Sequence, residues 1–421
     1  MKSLQDVVEW GLCSGCGACR FACGEEYVSL VDIEKSGIRP QFGSIPRERN
    51  EKGLAVCPGI RVDGTLETGE GHDATKLDSE LGPALEMWKG YARDQEVRYC
   101  ASSGGVLSAL SLYCLEQENM AFILHSAMDL ERPWLNRTVK SRTREEVLKR
   151  AGSRYAPSSP CDGLGAIEGS DRACVFVGKP CDTAAVRLLR RQRPELDRKL
   201  GLVLSFFCAG TPSTRGTLDL IEEIEVPRET VSSVRYRGEG WPGRFTVKTE
   251  NGKKAISLSY EESWERLSRY RPLRCHLCPD GFGQVADISC GDAWDDFNNN
   301  GNPGRSIVIV RTQRGREILH RAAAAGYVEL VSCTADNVLA AQPNLVAKRR
   351  EILSRLTSLW LFSAPVPQFK GFSLLHGWMR LPFRRKARSI LGSIKRVMFR
   401  RLWRRRPIFT LLSAGGDREG D

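Results

Sequence analysis

With 421 residues, of which 41% are hydrophobic and 27% charged, the chain is long enough to bury a sizeable core and to hold two or three modules. A chain of this size does not need a disulfide scaffold despite its fifteen cysteines. Residues 1–10, with Asp6 and Glu9, lack the apolar run of a signal peptide, and no stretch approaches the ~18 uninterrupted apolar residues of a membrane span. The expected setting is therefore a reducing cytoplasm, where clustered cysteines more often hold metal. The net charge of +12 is local, because Arg380 to Arg406 carries twelve Lys and Arg and no acid. A near-neutral body with a basic tail predicts contact with an anionic surface and no specific nucleic acid.

Residues 1–62 are rich in Cys and Gly and close at Cys57-Pro58-Gly59. Cys13-x2-Cys16-x2-Cys19-x3-Cys23 with a remote Cys57-Pro58 follows the spacing of bacterial ferredoxins, so a ferredoxin-like module with one 4Fe-4S cluster on Cys13, Cys16, Cys19 and Cys57 is expected. Gly24 follows Cys23 where the ferredoxin run has Pro, and no second run precedes Cys57. The fourth ligand is open between Cys57 and Cys23. Zinc is the competing chemistry for Cys-x2-Cys pairs, and three successive x2 spacings plus Cys-Pro weigh against it.

Residues 63–83 read as a polar linker. A helix is expected from Val106 to Glu116 after Ser102-Ser103-Gly104-Gly105, a strand from Ala121 to Ser126, and a helix capped by Thr143 that ends near Gly152. The apolar run 173–177 predicts a buried strand, Asp182 to Arg191 a helix, and Gly201 to Cys208 another strand. Val234 to Leu258 looks like a β-meander, and a strand at Ile307 to Val310 precedes a helix from Gly315 to Ala325. The fold class is thus a mixed α+β or α/β body behind the N-terminal module, followed by a basic helical tail.

Four further cysteines stand in unusual contexts: Cys181 in Gly-Lys-Pro-Cys, Cys208 after an apolar strand, and Cys275-x2-Cys278. Singly, each is readable as a small buried hydrophobe. Together with Cys-Ser-Gly-Cys-Gly-Ala-Cys (13–19), Ser-Ser-Gly-Gly-Val-Leu-Ser-Ala-Leu (102–110), Gly-Ser-Arg-Tyr-Ala-Pro-Ser (152–158), Val-Gly-Lys-Pro-Cys (177–181), Cys-His-Leu-Cys-Pro-Asp (275–280) and Ala-Asp-Ile-Ser-Cys-Gly-Asp-Ala-Trp (286–294), the chain resembles the coenzyme F420 hydrogenase/dehydrogenase beta subunit (FrhB) family over roughly residues 10–340. The resemblance implies an N-terminal family domain at 84–160, a C-terminal flavin and iron–sulfur domain at 161–345, and a tail at 346–421. It further implies FAD beside a second 4Fe-4S cluster on Cys181, Cys208, Cys275 and Cys278. Ferredoxin or another redox protein is the implied electron partner, and coenzyme F420 is the two-electron cofactor used by some members. Cys290 is read as buried filler.

A flavin dinucleotide carries a pyrophosphate, which Ser102, Ser103, Gly104 and Gly105 could meet at a helix N-terminus; the bland reading is an N-cap turn. Lys179 is a candidate for the flavin ring or phosphate, against a solvated lysine. Arg154 and Tyr155 suit an anionic or aromatic ligand, or an ordinary turn. The resemblance favours a site role for Asp287, Gly291 and Asp292. No Ser-His-Asp or Cys-His pattern appears, and His276 is a weak acid–base candidate. In the tail, Ile390, Leu391, Ile394, Val397, Met398, Leu402 and Trp403 recur at helical spacing within the basic segment 383–406. This predicts peripheral binding to an anionic membrane, against nucleic acid or a solvated tail. The leading function is an iron–sulfur flavin oxidoreductase. An electron-transfer subunit without its own substrate, linked by family association to polysaccharide biosynthesis, and a zinc-stabilised adaptor are the alternatives.

Overall fold

The computed structural model describes residues 1–65, 80–250, 255–297 and 301–408. Most of the expected linker, residues 66–79, and the end of the tail, residues 409–421, lie outside the described residues. At the centre, among the described residues, is an eight-stranded sheet of β1 (Glu86–Ala92), β2 (Ile123–Met128), β3 (Asn136–Ser141), β4 (Cys174–Gly178), β5 (Leu200–Phe206), β6 (Ile288–Asp292), β7 (Ser306–Val310) and β8 (Val328–Ser332). They lie in the order β8-β1-β7-β6-β5-β4-β2-β3. The four strands β6, β5, β4 and β2 are parallel, with Ile288 opposite Leu204, Phe176 opposite Val203 and Ile123 opposite Val175. The outer strands pair antiparallel.

Parallel strands are buried on both faces, and this is why 173–177 and 201–206 are continuous apolar runs without alternation. Helices α1 (Val106–Glu116) and α3 (Gln313–Ala324) cover one face, setting Leu110, Ile318 and Leu319 against Val175, Leu202 and Val308. Helix α2 (Pro180–Arg190) covers the other with Ala185, Val186 and Leu189 against Phe176 and Val203. Proline at the first turn of α2 starts the helix two residues before the expected Asp182, since its missing N–H has no helical partner there anyway.

Two smaller units flank this body. The expected meander is a three-stranded antiparallel sheet of Val231–Arg235, Arg244–Thr249 and Ala255–Ser259; its turn, residues 251–254, lies outside the described residues. Leu218, Ile221, Val234, Phe245, Val247 and Leu267 form its core. Residues 1–62 fold as the short helices Leu4–Glu9, Ala18–Cys23 and Arg47–Ala55 around a hairpin of Val28–Ile33 and Gly37–Phe42, in which Val31 faces Arg39.

The structure corrects the limits of both the linker and the tail. Position 346 is not a tail boundary, because it falls inside helix α4 (Pro343–Leu361), whose Leu345, Val346, Arg349 and Ile352 are buried. The chain then turns through α5 (Leu374–Met379) into α6 (Phe383–Phe399), and both pack on α4. At the far end of the linker, Glu80 is 1% exposed and accepts hydrogen bonds from Arg350 Nη2 (2.7 Å) and Arg380 Nη1 (3.2 Å). Burial alone would raise its carboxyl, but Arg350 and Arg380 hold it below the ordinary value. A depressed carboxylate stabilises the fold above its unfolded value and loses that contribution as the pH falls through the folded value. Replacing Glu80 with Gln is expected to lower stability at pH 7 by about 1–2 kcal/mol, kept modest by the half-exposed Arg380. In urea melts the wild-type advantage disappears as the pH drops below the ordinary carboxyl value of 4.5.

Candidate cofactor site: two cysteine sets beside the parallel strands

The first set is built on the loop that enters Ala18–Cys23. Gly15 has φ +74°, and a Cβ there would stand 2.7 Å from the carbonyl oxygen of Ile38, so only glycine lets the loop pass. Ser159 donates to Gly15 O (2.6 Å) and Cys161 N to Cys16 O (3.1 Å), fixing the loop against the body. Burial, then the neighbouring charges of Cys13, Cys16, Cys57 and Cys23, pushes the Cys19 thiol well up. Burial, then Cys16 and Cys13, does the same for Cys57. Cys16 alone of this group is held below its ordinary value, by a hydrogen bond from Cys161. Cys13, Cys16, Cys19 and Cys57 therefore share one neighbourhood. Cys23 is fully buried and donates to Arg49 O at 3.1 Å, packed with Leu4 and Val28.

The second set lies just past the carboxyl ends of β4 and β5, the edge at which parallel sheets form binding crevices. Cys181 is in the first turn of α2 and Cys208 follows β5, while Cys275 and Cys278 come from the turn around Leu273–His276. Burial, then Cys275, pushes the Cys208 thiol up to about 12, with Cys278 adding to it. Cys181 rises through burial and Asp182, with Cys208 and Cys278 contributing. Arg271 and Lys348 both donate to Ala209 O beside this set (2.9 and 3.3 Å). Burial and then Arg271 and Arg355 lower the His276 imidazole to about 3.

Grouped thiols in a low-dielectric site resist ionisation, and a bound cation of high charge removes that resistance. Both sets have this character, and soft thiolate donors suit iron or zinc. A single tetrahedral ion with bonds of about 2.3 Å needs its sulfurs drawn tightly together. Among the described residues no three His, Cys, Asp or Glu side chains converge on such a point. Next to the first set, Arg39 Nε and Arg274 Nε are buried without a hydrogen-bond partner, and both guanidiniums act on Cys13.

Lys179 does not face an open site. Its ammonium ion-pairs with Asp182 (2.8 Å) and donates to Ser158 Oγ (2.8 Å), with the residue 5% exposed. This pair stands between the two sets, since Asp182 acts on both Cys16 and Cys181. Arg154 is likewise committed to the protein, donating to Asn136 Oδ1 and to the carbonyls of Val234 (2.7 Å) and Pro133 (2.7 Å). Tyr155 packs on Trp264 with ring centres 4.8 Å apart. Asp287 ties strands together, accepting from Val203 N (2.8 Å) and Thr312 Oγ1 (2.7 Å). Ser102 Oγ accepts from Ser153 N (2.5 Å), Ser103 Oγ meets Ser306 Oγ (2.7 Å), and Gly105 caps α1. Gly104 lies against the backbone of Gly90 and Ser306, where an added Cβ would sit 2.6 Å from each.

Gly291 and Asp292 lead from the second set toward an aromatic cluster that the sequence motifs do not reveal. Phe207, next to Cys208, lies so close over Gly291 that a Cβ there would fall 1.9 Å from its ring. Changing Gly291 to Ala is therefore expected to cost about 1–3 kcal/mol by overpacking, read as a lowered melting temperature. Asp292 holds Arg237 in a two-point ion pair (2.7 and 2.9 Å) and accepts from Trp241 Nε1 (2.9 Å). Arg237 is 2% exposed and lies over Tyr260 and Trp294, 4.7 and 5.3 Å from their ring centres. Trp294 stacks on Trp241 and Tyr260. Trp241 in Gly-Trp-Pro-Gly, and Trp294 directly after the 286–293 segment, were the available signals.

Beside this cluster opens a cleft of about 650 Å³ lined by Tyr91, Arg98, Asp295, Asp296, Phe297 and Arg305 among others. A second cavity near Arg154 measures about 160 Å³. Only the first is in the usual range of cofactor pockets, about 300–1,000 Å³. Arg98 stacks over Tyr91 at 4.0 Å and donates to Gly304 O (2.6 Å), and Arg305 joins it at the rim. Gly104 adjoins the backbone of Arg305, and Trp241, which donates to Asp292, packs on Phe297, so the loop 102–105 and Asp292 stand one residue behind the lining of this cleft.

Comparison with known proteins gives two matched family regions. Residues 87–164 match the N-terminal model, and residues 171–336 the C-terminal model, of the coenzyme F420 hydrogenase/dehydrogenase beta subunit. The chain is 29% identical to coenzyme F420 hydrogenase subunit beta of Methanosarcina barkeri over 262 residues, 60% of this chain and 83% of the relative. It is 28% identical to coenzyme F420 hydrogenase subunit beta of Methanococcus voltae over 243 residues, 56% of this chain and 81% of the relative. A chain in the structure of the F420-reducing NiFe hydrogenase complex from Methanosarcina barkeri shares its fold, with a TM-score of 0.53 and 24% identity over 67% of this chain and 96% of that one.

Proposed function

Because the chain belongs to the coenzyme F420 hydrogenase/dehydrogenase beta subunit family, we propose that it is an iron–sulfur flavoprotein oxidoreductase. It passes electrons between a one-electron protein carrier of the ferredoxin type and a two-electron partner, for which coenzyme F420, which appears in the names of its relatives, is the candidate. The observation that supports this reading is the placement of eight cysteines from five separated stretches of chain: Cys57 packs with Cys13 in one apolar cluster and with Cys19 in another, while Cys181 and Cys208 stand just past the carboxyl ends of β4 and β5, where Thr211 N donates to Cys275 Sγ at 3.5 Å. Cys13, Cys16, Cys19 and Cys57 would hold one 4Fe-4S cluster, and Cys181, Cys208, Cys275 and Cys278 the other. FAD would bind in the cleft lined by Tyr91, Arg98, Phe297 and Arg305.

Bound clusters supply single-electron exchange and a bound flavin exchanges one or two electrons, which lets paired single transfers become one hydride equivalent. The chain's own residues prepare the surroundings. Arg39 and Arg274 beside the first set, and Arg271 and Lys348 beside the second, offset the negative charge of eight thiolates. Phe207 and Phe282, ring centres 5.1 Å apart, pack next to Cys208, and Phe207 links the second set to Gly291. Arg98 and Arg305 suit a phosphate-bearing cofactor, while Tyr91 and Phe297 offer rings for stacking. Replacing Arg305 by Ala should weaken FAD binding at least about tenfold, the loss of one charge-assisted contact, as read by flavin fluorescence titration.

Relatives of the chain are named as hydrogenase subunits, which favours a second reading: an electron-transfer subunit with no substrate of its own. Anaerobic titration of the FAD- and iron-loaded chain with reduced F420 and reduced ferredoxin in parallel separates the two. The enzyme reading expects the flavin to bleach with reduced F420 and the clusters to follow. Loaded flavin that neither donor reduces would overturn it.

A further inference from the structure

Helix α6 is attached to the body by the wrong residues for a soluble amphipathic helix. Its buried positions are Ser389, Ser393 and Val397, four residues apart, so a stripe of mostly small side chains faces α4. The large apolar side chains stay outside: Phe383 is 84% exposed, Leu391 67% and Phe399 87%. One edge of the apolar face expected from the sequence is turned to the body, and the rest is left exposed. Val397, Leu402 and Trp403 turn inward, with Trp403 stacked on Phe362, while Leu391 and Met398 turn outward.

At 3.6 residues per turn, Phe383, Ile390, Ile394, Leu391 and Met398 share a sector of about 100°, roughly a third of a turn from the buried serines. Arg384, Lys395 and Arg388 fall at the next angles around the helix. Of the fifteen exposed large hydrophobic residues among the described residues, nine lie between positions 360 and 399, including Trp360 and Leu375 on the neighbouring helices. From Phe383 to Arg406 the sequence has no acid to balance its cations. No described helix is long and apolar enough to cross a membrane.

Exposed apolar side chains in such a concentration mark a contact surface. A protein partner would use the Phe, Met and Arg side chains, which protein interfaces favour, but would have to present an acidic surface matched to a segment with no acid of its own. Nucleic acid would use the cations and leave the Phe, Leu and Met side chains in water. A bilayer with anionic headgroups satisfies both groups at once, the rings and aliphatic chains entering the headgroup–acyl boundary and the cations meeting lipid phosphates. We infer that the α4–α5–α6 hairpin docks the protein on an anionic lipid surface through Phe383, Leu391 and Met398, bordered by Arg384, Arg388 and Lys395. The same segment is fastened to the module of the first cysteine set by Arg405 to Asp6 (2.8 Å) and Arg406 N to Glu9 O (2.9 Å), so docking brings that set near the bilayer.

The test is flotation of the full chain with vesicles of equal parts phosphatidylglycerol and phosphatidylcholine, and with phosphatidylcholine alone. It does not depend on the redox reading. Binding is expected to be at least tenfold stronger to the anionic vesicles. The triple variant Phe383→Ser, Leu391→Ser, Met398→Ser should lose at least tenfold, as should Arg384→Glu, Arg388→Glu, Lys395→Glu. All six positions are exposed, so both variants should keep the wild-type melting temperature. Absence of flotation, or equal flotation of wild type and both variants, overturns the inference. So does a wild-type dimer in size-exclusion chromatography that the triple Ser variant dissolves, since the apolar stripe would then belong to a second copy.

Discussion

Replacing Cys57 by Ser is expected to remove about four of eight irons, with a matching loss of acid-labile sulfide, from the anaerobically reconstituted chain. Replacing Cys23 by Ser should leave both contents unchanged. The two residues compete for one role in the sequence and lie close together, Cys19 and Cys57 both packing against the cluster that holds Cys23, but their thiols are engaged differently. Cys57 shares its neighbourhood with Cys13, Cys16 and Cys19. The Cys23 thiol is engaged with Arg49 O at 3.1 Å and packed with Leu4 and Val28. Serine offers a harder, less acidic donor than a thiolate, so a ligand position is weakened by the exchange. A packing position loses only a small hydrophobe. Iron and sulfide analysis with low-temperature electron paramagnetic resonance distinguishes the two; iron lost from the Cys23 variant and retained in the Cys57 variant would reverse the assignment.

Arg237→Ala should destabilise the protein by about 3–5 kcal/mol, the usual cost of breaking a buried ion pair from one side. The variant leaves Asp292 with its hydrogen bond from Trp241 and removes the cation that lies over Tyr260 and Trp294. Lysine at 237 should restore little, because one ammonium cannot make the two-point contact with Asp292 or donate at the same time to Pro242 O at 2.7 Å. Arg237→Ala with Asp292→Ala should cost less than the sum of the single changes, since the pair is then removed whole. Urea denaturation of the four proteins measures this. Additive losses would mean that the pair is not what holds the aromatic cluster together.

Much of the fold was legible because the sheet centre is parallel. Strands such as 174–178 and 200–206 are apolar on both faces apart from Ser205, whose hydroxyl donates to Gly178 O, and helices such as Val106–Glu116 carry a cap and a period of their own. The ends of elements were less so: Pro180 starts α2 early because proline suits a first turn. The first cysteine set was readable from local spacing, since three of its members sit on one loop. The second was reached through resemblance, because Cys181, Cys208 and Cys275 meet only after three distant segments fold together. The aromatic cluster was not legible for the same reason: Arg237 and Asp292 are 55 residues apart, and neither stands in a local motif that names the other. Lys179 and Arg154 show a different limit of local reading. A cation near a ligand cysteine or in a glycine turn suggests cofactor contact, whereas burial required each to be neutralised or hydrogen-bonded by the protein itself.

The central claim, that the two cysteine sets each hold a 4Fe-4S cluster, is tested most directly by metal and sulfide analysis with Mössbauer spectroscopy of the full chain purified without oxygen. About eight irons and eight sulfides per chain, with spectra of 4Fe-4S centres and no stoichiometric zinc, is the result predicted. One or two zinc ions per chain without iron or acid-labile sulfide would contradict it.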